Sequence, residues 1–265
     1  MLIKIGIFLL LIIIYEIQSF VLRSGEYQSP INIDLSKTIY TKYPSFNFSD
    51  GYFQPTVFQV TYEYGKTILI TPVLESSKSL TISGGSLSGV FTFQNVHLHW
   101  PQSEHKFLGK TFTAEAHFVH KNLKTNETAV FAYFFSLSGS DSDSESSEHD
   151  KINNWENILN QTSNNTINIT IQDGLSSLMK GDKHKFISYI GSLTTSPYTE
   201  GVHWILMSSN INLRQVYLNR IQTNIVRSNY RVTQPIVELF EEVLYRSKEL
   251  LDILFRTLIE LFLFT

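Results

Sequence analysis

The chain has 265 residues, no cysteine and a formal net charge of -3. The missing cysteines exclude disulfides, four-cysteine zinc sites and cysteine nucleophiles, and the net charge gives no field to recruit nucleic acid. No basic stripe, arginine-rich arm or phosphate-cradling glycine loop argues otherwise, while an apolar share of 42% is enough for a substantial core.

The N-terminus reads as a targeting segment. Lys4 precedes an apolar run from Ile5 to Ile14, and "YEIQS" then ends in a small residue at Ser19. This three-part form predicts a secretory signal peptide over residues 1–19. The run is short for a spanning helix, which needs about 20 residues. A secreted chain can carry glycans, and N-x-S/T sequons occur at Asn47, Asn126, Asn160, Asn164 and Asn168. Three of them fall inside "NQTSNNTINIT", which reads as a surface loop.

The centre reads as β-rich. "TVFQVTYEYGKTILITPV" alternates and is dense in β-branched and aromatic residues. "GVFTFQNVHLHW", "TFTAEAHFVH", "AVFAYFFSL", "GVHWILMSS" and "QTNIVRSNYRV" continue the pattern, with turn residues between them. Helical periodicity is weak around "DKINNWENILNQ". Residues 138–150, "SGSDSDSESSEHD", are acidic and low in complexity and predict a solvated loop. After Pro235 the pattern changes. Asp252, Arg256 and Glu260 lie four apart among Leu, Ile and Phe, which predicts an amphipathic helix over residues 236–265. Such a helix can pack on the domain, associate with a membrane surface or self-associate. A removable lipid-anchor signal is disfavoured by those three charges.

"VHLHW" at 96–100 raises the chemical question. On a strand, His97 and His99 share one face about 6.6 Å apart, and Val96, Leu98 and Trp100 share the other. An isolated H-x-H is more often surface decoration than a ligand pair, and two ligands do not make a site. In "AEAHFVH", His117 and Glu115 share a face, with Phe118 and His120 opposite. If the two strands pair, His117 meets His97 and His99, which gives the three-ligand set of a catalytic zinc. Glu115 stands where a ligand histidine needs a partner for its second nitrogen.

These segments, taken together and in order, resemble the α-class carbonic anhydrases over most of residues 26–235. The matching elements are "QSPINI" at 28–33, "HLHW", "SEH" at 103–105, "AEAHFVH" at 114–120, "GSLTTSP" at 191–197, "VHWIL" and "NYR" at 229–231. The resemblance implies a mainly β (α+β) single domain over residues 20–235. Its core would be a large, twisted, mostly antiparallel central sheet with short peripheral helices, followed by the amphipathic tail. It also implies a secreted zinc lyase that hydrates CO₂ reversibly to bicarbonate and a proton through a zinc-bound hydroxide, in the service of pH regulation. His97, His99 and His117 would hold Zn²⁺, and Asn95, His105, Glu115 and Asn229 would support those ligands. Thr194 would orient the hydroxide with Glu104 behind it, and Thr195 would line the cavity floor. Val119, Val130, Leu193, Val202 and Trp204 would wall the substrate pocket, although as residues alone they read equally as ordinary core.

The departures from the family pattern bear on rate and stability. Lys66 stands where the fastest members carry a shuttle histidine, and an ammonium with a pKa near about 10.4 relays protons poorly at neutral pH. Slower turnover is the expectation. The loop between Trp100 and Ser103 is short, and the aromatic segment that normally precedes Gln-Ser-Pro is almost entirely missing. A non-catalytic binding or structural protein on the same fold is the competing reading. Such relatives characteristically lose a zinc histidine, and this sequence keeps three.

Overall fold

The computed structural model describes residues 27–63, 66–73, 79–137, 154–160, 166–224 and 227–236. The elements, in chain order, are β1 (Asn32–Ile33), β2 (Phe46–Phe48), β3 (Thr56–Glu63), β4 (Thr67–Val73), β5 (Thr81–Gly84), β6 (Phe91–His99), β7 (Lys106–Phe107), β8 (Ala114–Lys121) and β9 (Thr128–Leu137). They continue with α1 (Asn154–Asn160), β10 (Ile167–Ile171), β11 (Phe186–Ser192), β12 (Glu200–Met207), β13 (Ile211–Leu213) and α2 (Gln215–Asn224). Among the described residues, an 11-stranded sheet runs in the order β10-β3-β4-β6-β8-β9-β12-β11, with β13 on β9 and the β2–β5 pair on β6. Pairing is antiparallel except where β12 and β13 lie parallel to β9. β1 and β7 form a separate parallel pair. The mainly β fold with short helices is therefore as expected. The tail helix expected over residues 236–265, the signal segment and the acidic run at 138–150 lie outside the described residues, Ile236 excepted.

The period-2 pattern decides which face each side chain meets. Val96 and Leu98 of β6, Ala116 and Phe118 of β8, Phe131 and Tyr133 of β9, and Ile205 and Met207 of β12 point into one large core. Trp155 and Ile158 of α1 and Leu218 of α2 close that core from outside the sheet. Each large apolar side chain buried there contributes about 1.5–3 kcal/mol. The alternate residues point the other way. Val130, Ala132, Val202, Trp204 and Leu206 form a second, smaller apolar cluster with Ile33. His97 and His99 of β6 and His117 of β8 share this second side.

Two local expectations are corrected. "QTNIVRSNYRV" is not a strand: Gln222–Asn224 end helix α2, and residues 229–231 have no regular structure. Tertiary contacts decide this. Tyr217 and Leu218 are buried, Gln215 bonds Asn219 one turn on at 2.7 Å, and Arg214 pairs with Glu156 of α1 at 3.1 Å. "NQTSNNTINIT" is not all loop either. Its last residues enter the edge strand β10, where Ile169 and Ile171 are buried against β3 while Asn168 faces out. Asn47, Asn126, Asn160 and Asn168 are all exposed, and Asn164 lies outside the described residues.

Candidate metal centre and active site

β6 and β8 pair so that His97 faces His117 directly and His99 faces Glu115. Three imidazoles from two neighbouring strands therefore meet on one face. Their rings lie 4.4–5.4 Å apart between centroids, and one nitrogen from each falls within 4.8 Å of the others.

The hydrogen bonds at the far side of each ring fix which nitrogen is offered. His97 Nδ1 lies 3.0 Å from Asn95 Oδ1, and His99 Nδ1 lies 2.8 Å from the Asn229 carbonyl. His117 Nε2 lies 2.8 Å from Glu115 Oε1. These oxygens only accept, so each of those nitrogens carries the proton. The nitrogens not engaged in those bonds are His97 Nε2, His99 Nε2 and His117 Nδ1. Burial, with a further push from His117, lowers the His97 imidazole to about 3, and burial with the two neighbouring histidines holds His99 well below its ordinary value. Neutral imidazole is the ligand form.

Two buried atoms show what the cluster lacks. His99 Nε2 and Glu104 Oε2 are buried without a hydrogen bond. A buried acceptor left unpaired costs about 1–3 kcal/mol. A cation at the triad satisfies the first and favours the ionised form of the second. Three nitrogen donors suit zinc, whereas calcium and magnesium prefer oxygen.

Behind the triad lies a continuous polar chain. Glu115 is fully buried and accepts from His117, from the His105 backbone N–H at 2.8 Å and from His105 Nδ1 at 2.7 Å. Burial pushes its carboxyl up, but the attraction and hydrogen bonds of His105 and His117 outweigh that and hold it well below the usual carboxylate range. His105 Nε2 lies 2.6 Å from the Tyr189 hydroxyl. The Ser29 hydroxyl follows at 2.8 Å. A side chain at Gly191 would collide with Ser29 Oγ and the Tyr189 ring, so only glycine lets this chain pass the β11 backbone. Asn229 is a second hub. Its carbonyl takes His99, its Oδ1 takes the Trp100 N–H at 2.7 Å, and its Nδ2 donates to Leu98 O and Lys66 O.

Glu104 is buried and accepts the Arg231 backbone N–H at 2.7 Å through Oε1. Burial raises its carboxyl to about 7, against the pull of His117, the Thr194 hydroxyl and the Arg231 amide. Thr194 is thus close enough to act on the carboxylate and is itself buried, whereas Thr195 is exposed. Val130, Val202 and Trp204 belong to the small apolar cluster, with Val119 and Leu193 packed against it. Trp204 stands edge-on to His105 and His117, 4.7 and 4.8 Å between ring centroids. Lys66 is exposed, and its backbone carbonyl is tied to Asn229.

Tyr189, Ser29 and the separate duties of Arg231 are not marked in the sequence. Ser29 and Arg231 fall inside quoted motifs but carry no chemical signal by themselves. Tyr189 had one faint sign, a polar-tipped ring two residues before Gly191 on an otherwise ordinary strand. His120 is the reverse case. Parity turns it to the large core, where it bonds Tyr52 at 2.6 Å and the Phe118 carbonyl at 2.9 Å.

Fold and donor set together define a zinc enzyme with a three-histidine site on a mixed sheet. Comparison with known proteins makes the assignment specific. The model of the eukaryotic-type carbonic anhydrases matches residues 17–245. A carbonic anhydrase of Klebsiella pneumoniae is 30% identical over 215 residues, covering 81% of this chain and 78% of the relative. Among solved structures, the α-carbonic anhydrase of Photobacterium profundum superposes with a TM-score of 0.65 at 24% identity, over 81% of this chain and 88% of that one. The α-carbonic anhydrase of Thermovibrio ammonificans, solved in complex with the inhibitor sulfanilamide, gives 0.64 at 23% identity, over 81% and 85%. At those identities the structures show the fold alone. The chain belongs to the eukaryotic-type carbonic anhydrase family, and with its histidine triad complete it is an enzyme of that family.

Proposed function

We propose that the chain hydrates carbon dioxide reversibly to bicarbonate and a proton, as a secreted glycoprotein that turns over more slowly than the fastest members of its family. The carrying observation is the convergence of three imidazole nitrogens, each ring oriented by a protein acceptor on its other nitrogen. Zinc held there supplies the Lewis acidity that makes water nucleophilic near neutral pH.

The chain's own residues orient and shield the reaction. Glu104 is anchored at Oε1 by the Arg231 amide with Oε2 left unpaired, and the Thr194 hydroxyl is the donor near the carboxylate. A threonine has one O–H to give. Once it is given to Glu104, the Thr194 oxygen can only accept, so it takes a hydrogen from the attacking oxygen and fixes the direction of attack. Val119, Val130, Leu193, Val202 and Trp204 offer CO₂ an apolar wall and keep water away. Thr195, exposed on the same turn, is read as lining the cavity floor. The proton must then leave, and Lys66 serves poorly because it puts no imidazole, the side chain suited to proton relay near neutrality, at the shuttle position.

In this proposal residues 1–19 are a signal peptide and residues 20–235 the catalytic domain. The spacing of Asp252, Arg256 and Glu260 supports assigning residues 236–265 to an amphipathic tail that packs on the domain, associates with a membrane surface or self-associates. Exposure of Asn47, Asn126, Asn160 and Asn168 supports glycan attachment. Protein from a eukaryotic secretory host should lose mass on N-glycosidase treatment; unchanged mass counts against it.

Stopped-flow CO₂ hydration tests the catalytic reading. The wild type should be active and be inhibited by sulfanilamide, and His117→Ala should lose at least about a hundredfold. Equal rates in wild type and His117→Ala would overturn the reading.

A further inference from the structure

We propose that Tyr198 is a positioning residue whose ring, stacked on the Arg231 guanidinium, holds the Thr194–Thr195 turn against Glu104. The role rests on the catalytic reading of Thr194 and Glu104 given above.

The Arg231 Cζ lies 3.9 Å from the Tyr198 ring centroid, against 5.0–5.5 Å for the other cation–π contacts among the described residues. Arg231 is held on every side. Its Nη1 donates to the Ser29 carbonyl at 2.7 Å and to Gln28 Oε1 at 3.0 Å, and its backbone N–H holds Glu104 Oε1. One residue therefore fixes both the Glu104 carboxylate and the ring of Tyr198. The ring in turn fixes the loop. The Tyr198 N–H closes a turn on the Thr195 carbonyl at 2.8 Å, and the Leu193 N–H bonds the Thr199 carbonyl at 2.9 Å. Thr194 sits between those two bonds.

The backbone argues that the ring is there for a reason. Tyr198 has φ +60°, a conformation that favours glycine and is an outlier for a bulky side chain. Such strain persists where the surroundings over-determine it, and it gathers at functional sites. Burial does not account for the residue, because Tyr198 is 40% exposed. Its carbonyl takes Gln28 Nε2 at 3.4 Å, and its ring gives its π face to the guanidinium.

Tyr198→Gly is the decisive variant, since glycine accepts the backbone conformation and removes only the ring. It should lower kcat for CO₂ hydration about two- to fivefold, the worth of an exposed cation–π contact, with KM little changed. Amide deuterium exchange at positions 193 and 198 should quicken in zinc-loaded and zinc-free protein alike. Tyr198→Phe should restore both readouts. In a Thr194→Ala background the loss should vanish, because the ring acts through Thr194. Wild-type exchange and kcat in Tyr198→Gly, a phenylalanine that behaves like glycine, or full additivity with Thr194→Ala would each overturn the role. A wild type with no hydration at all sinks the catalytic reading and this role with it. Exchange needs no turnover, so it still tells a missing clamp from a missing activity.

Discussion

His117 Nε2 donates to Glu115 Oε1 at 2.8 Å, from two residues along the same strand. That carboxylate also takes both N–H groups of His105. Removing it strands three buried donors and frees the imidazole of His117 to turn. Glu115→Ala should weaken zinc affinity by about 10- to 100-fold, measured by competition with a chelator. Affinity equal to wild type would show that the strand alone orients His117.

The metal-free protein should lose stability in acid. Burial lowers His120 to about 4, and burial with the push of His117 lowers His97 to about 3. Both folded values lie below the unfolded one near 6.5, so their stabilisation is complete above about pH 6.5. It is lost as pH falls toward the folded values, by up to about 1.4 kcal/mol per pH unit for each group. Glu104 opposes this. Burial raises it to about 7, so its contribution is greatest below about pH 4.5 and fades as pH rises to 7. Two histidines outweigh one carboxyl, and His99 adds to their side. Denaturant midpoints should fall between pH 6.5 and 5, and more steeply in Glu104→Gln. A flat profile contradicts this balance.

Val130 tests whether the small apolar cluster is a substrate wall or plain core. It is buried beside Val202 and Trp204, on the face that carries the histidines. Val130→Phe adds bulk where CO₂ would sit. kcat/KM should fall at least about tenfold while zinc content is unchanged, a difference of about 1.4 kcal/mol in transition-state binding. Loss of zinc or of folding, with the remaining active fraction at wild-type kcat/KM, would return Val130 to the core.

Lys66→His should raise turnover at low buffer concentration and change little when buffer carries the proton, since an imidazole titrates near neutrality. No gain at low buffer would mean that the proton leaves by a route that avoids position 66.

Much of this was legible in the chain because strand parity is a strong rule. It sorted His97, His99, Glu115 and His117 onto one face and His120 onto the other, and the pairing of β6 with β8 did the rest. What stayed hidden depends on distant segments. Arg231 meets Glu104 across 127 positions and Tyr189 meets His105 across 84, and no local pattern marks either pair. The misread strand at "QTNIVRSNYRV" has the same origin. Its β-branched residues suggested a strand, while the buried side chains of Tyr217 and Leu218 and the Arg214–Glu156 pair hold the preceding turns as helix. Asn168 shows the converse, a polar stretch that pairs because every second residue is an isoleucine.

The most direct test is to strip the protein with a chelator and return zinc while following CO₂ hydration. The account predicts no activity at the start, a linear rise to about one zinc per chain, and a plateau beyond it, with no rise in His117→Ala. Full activity in the stripped protein, or equal recovery in His117→Ala, would contradict it.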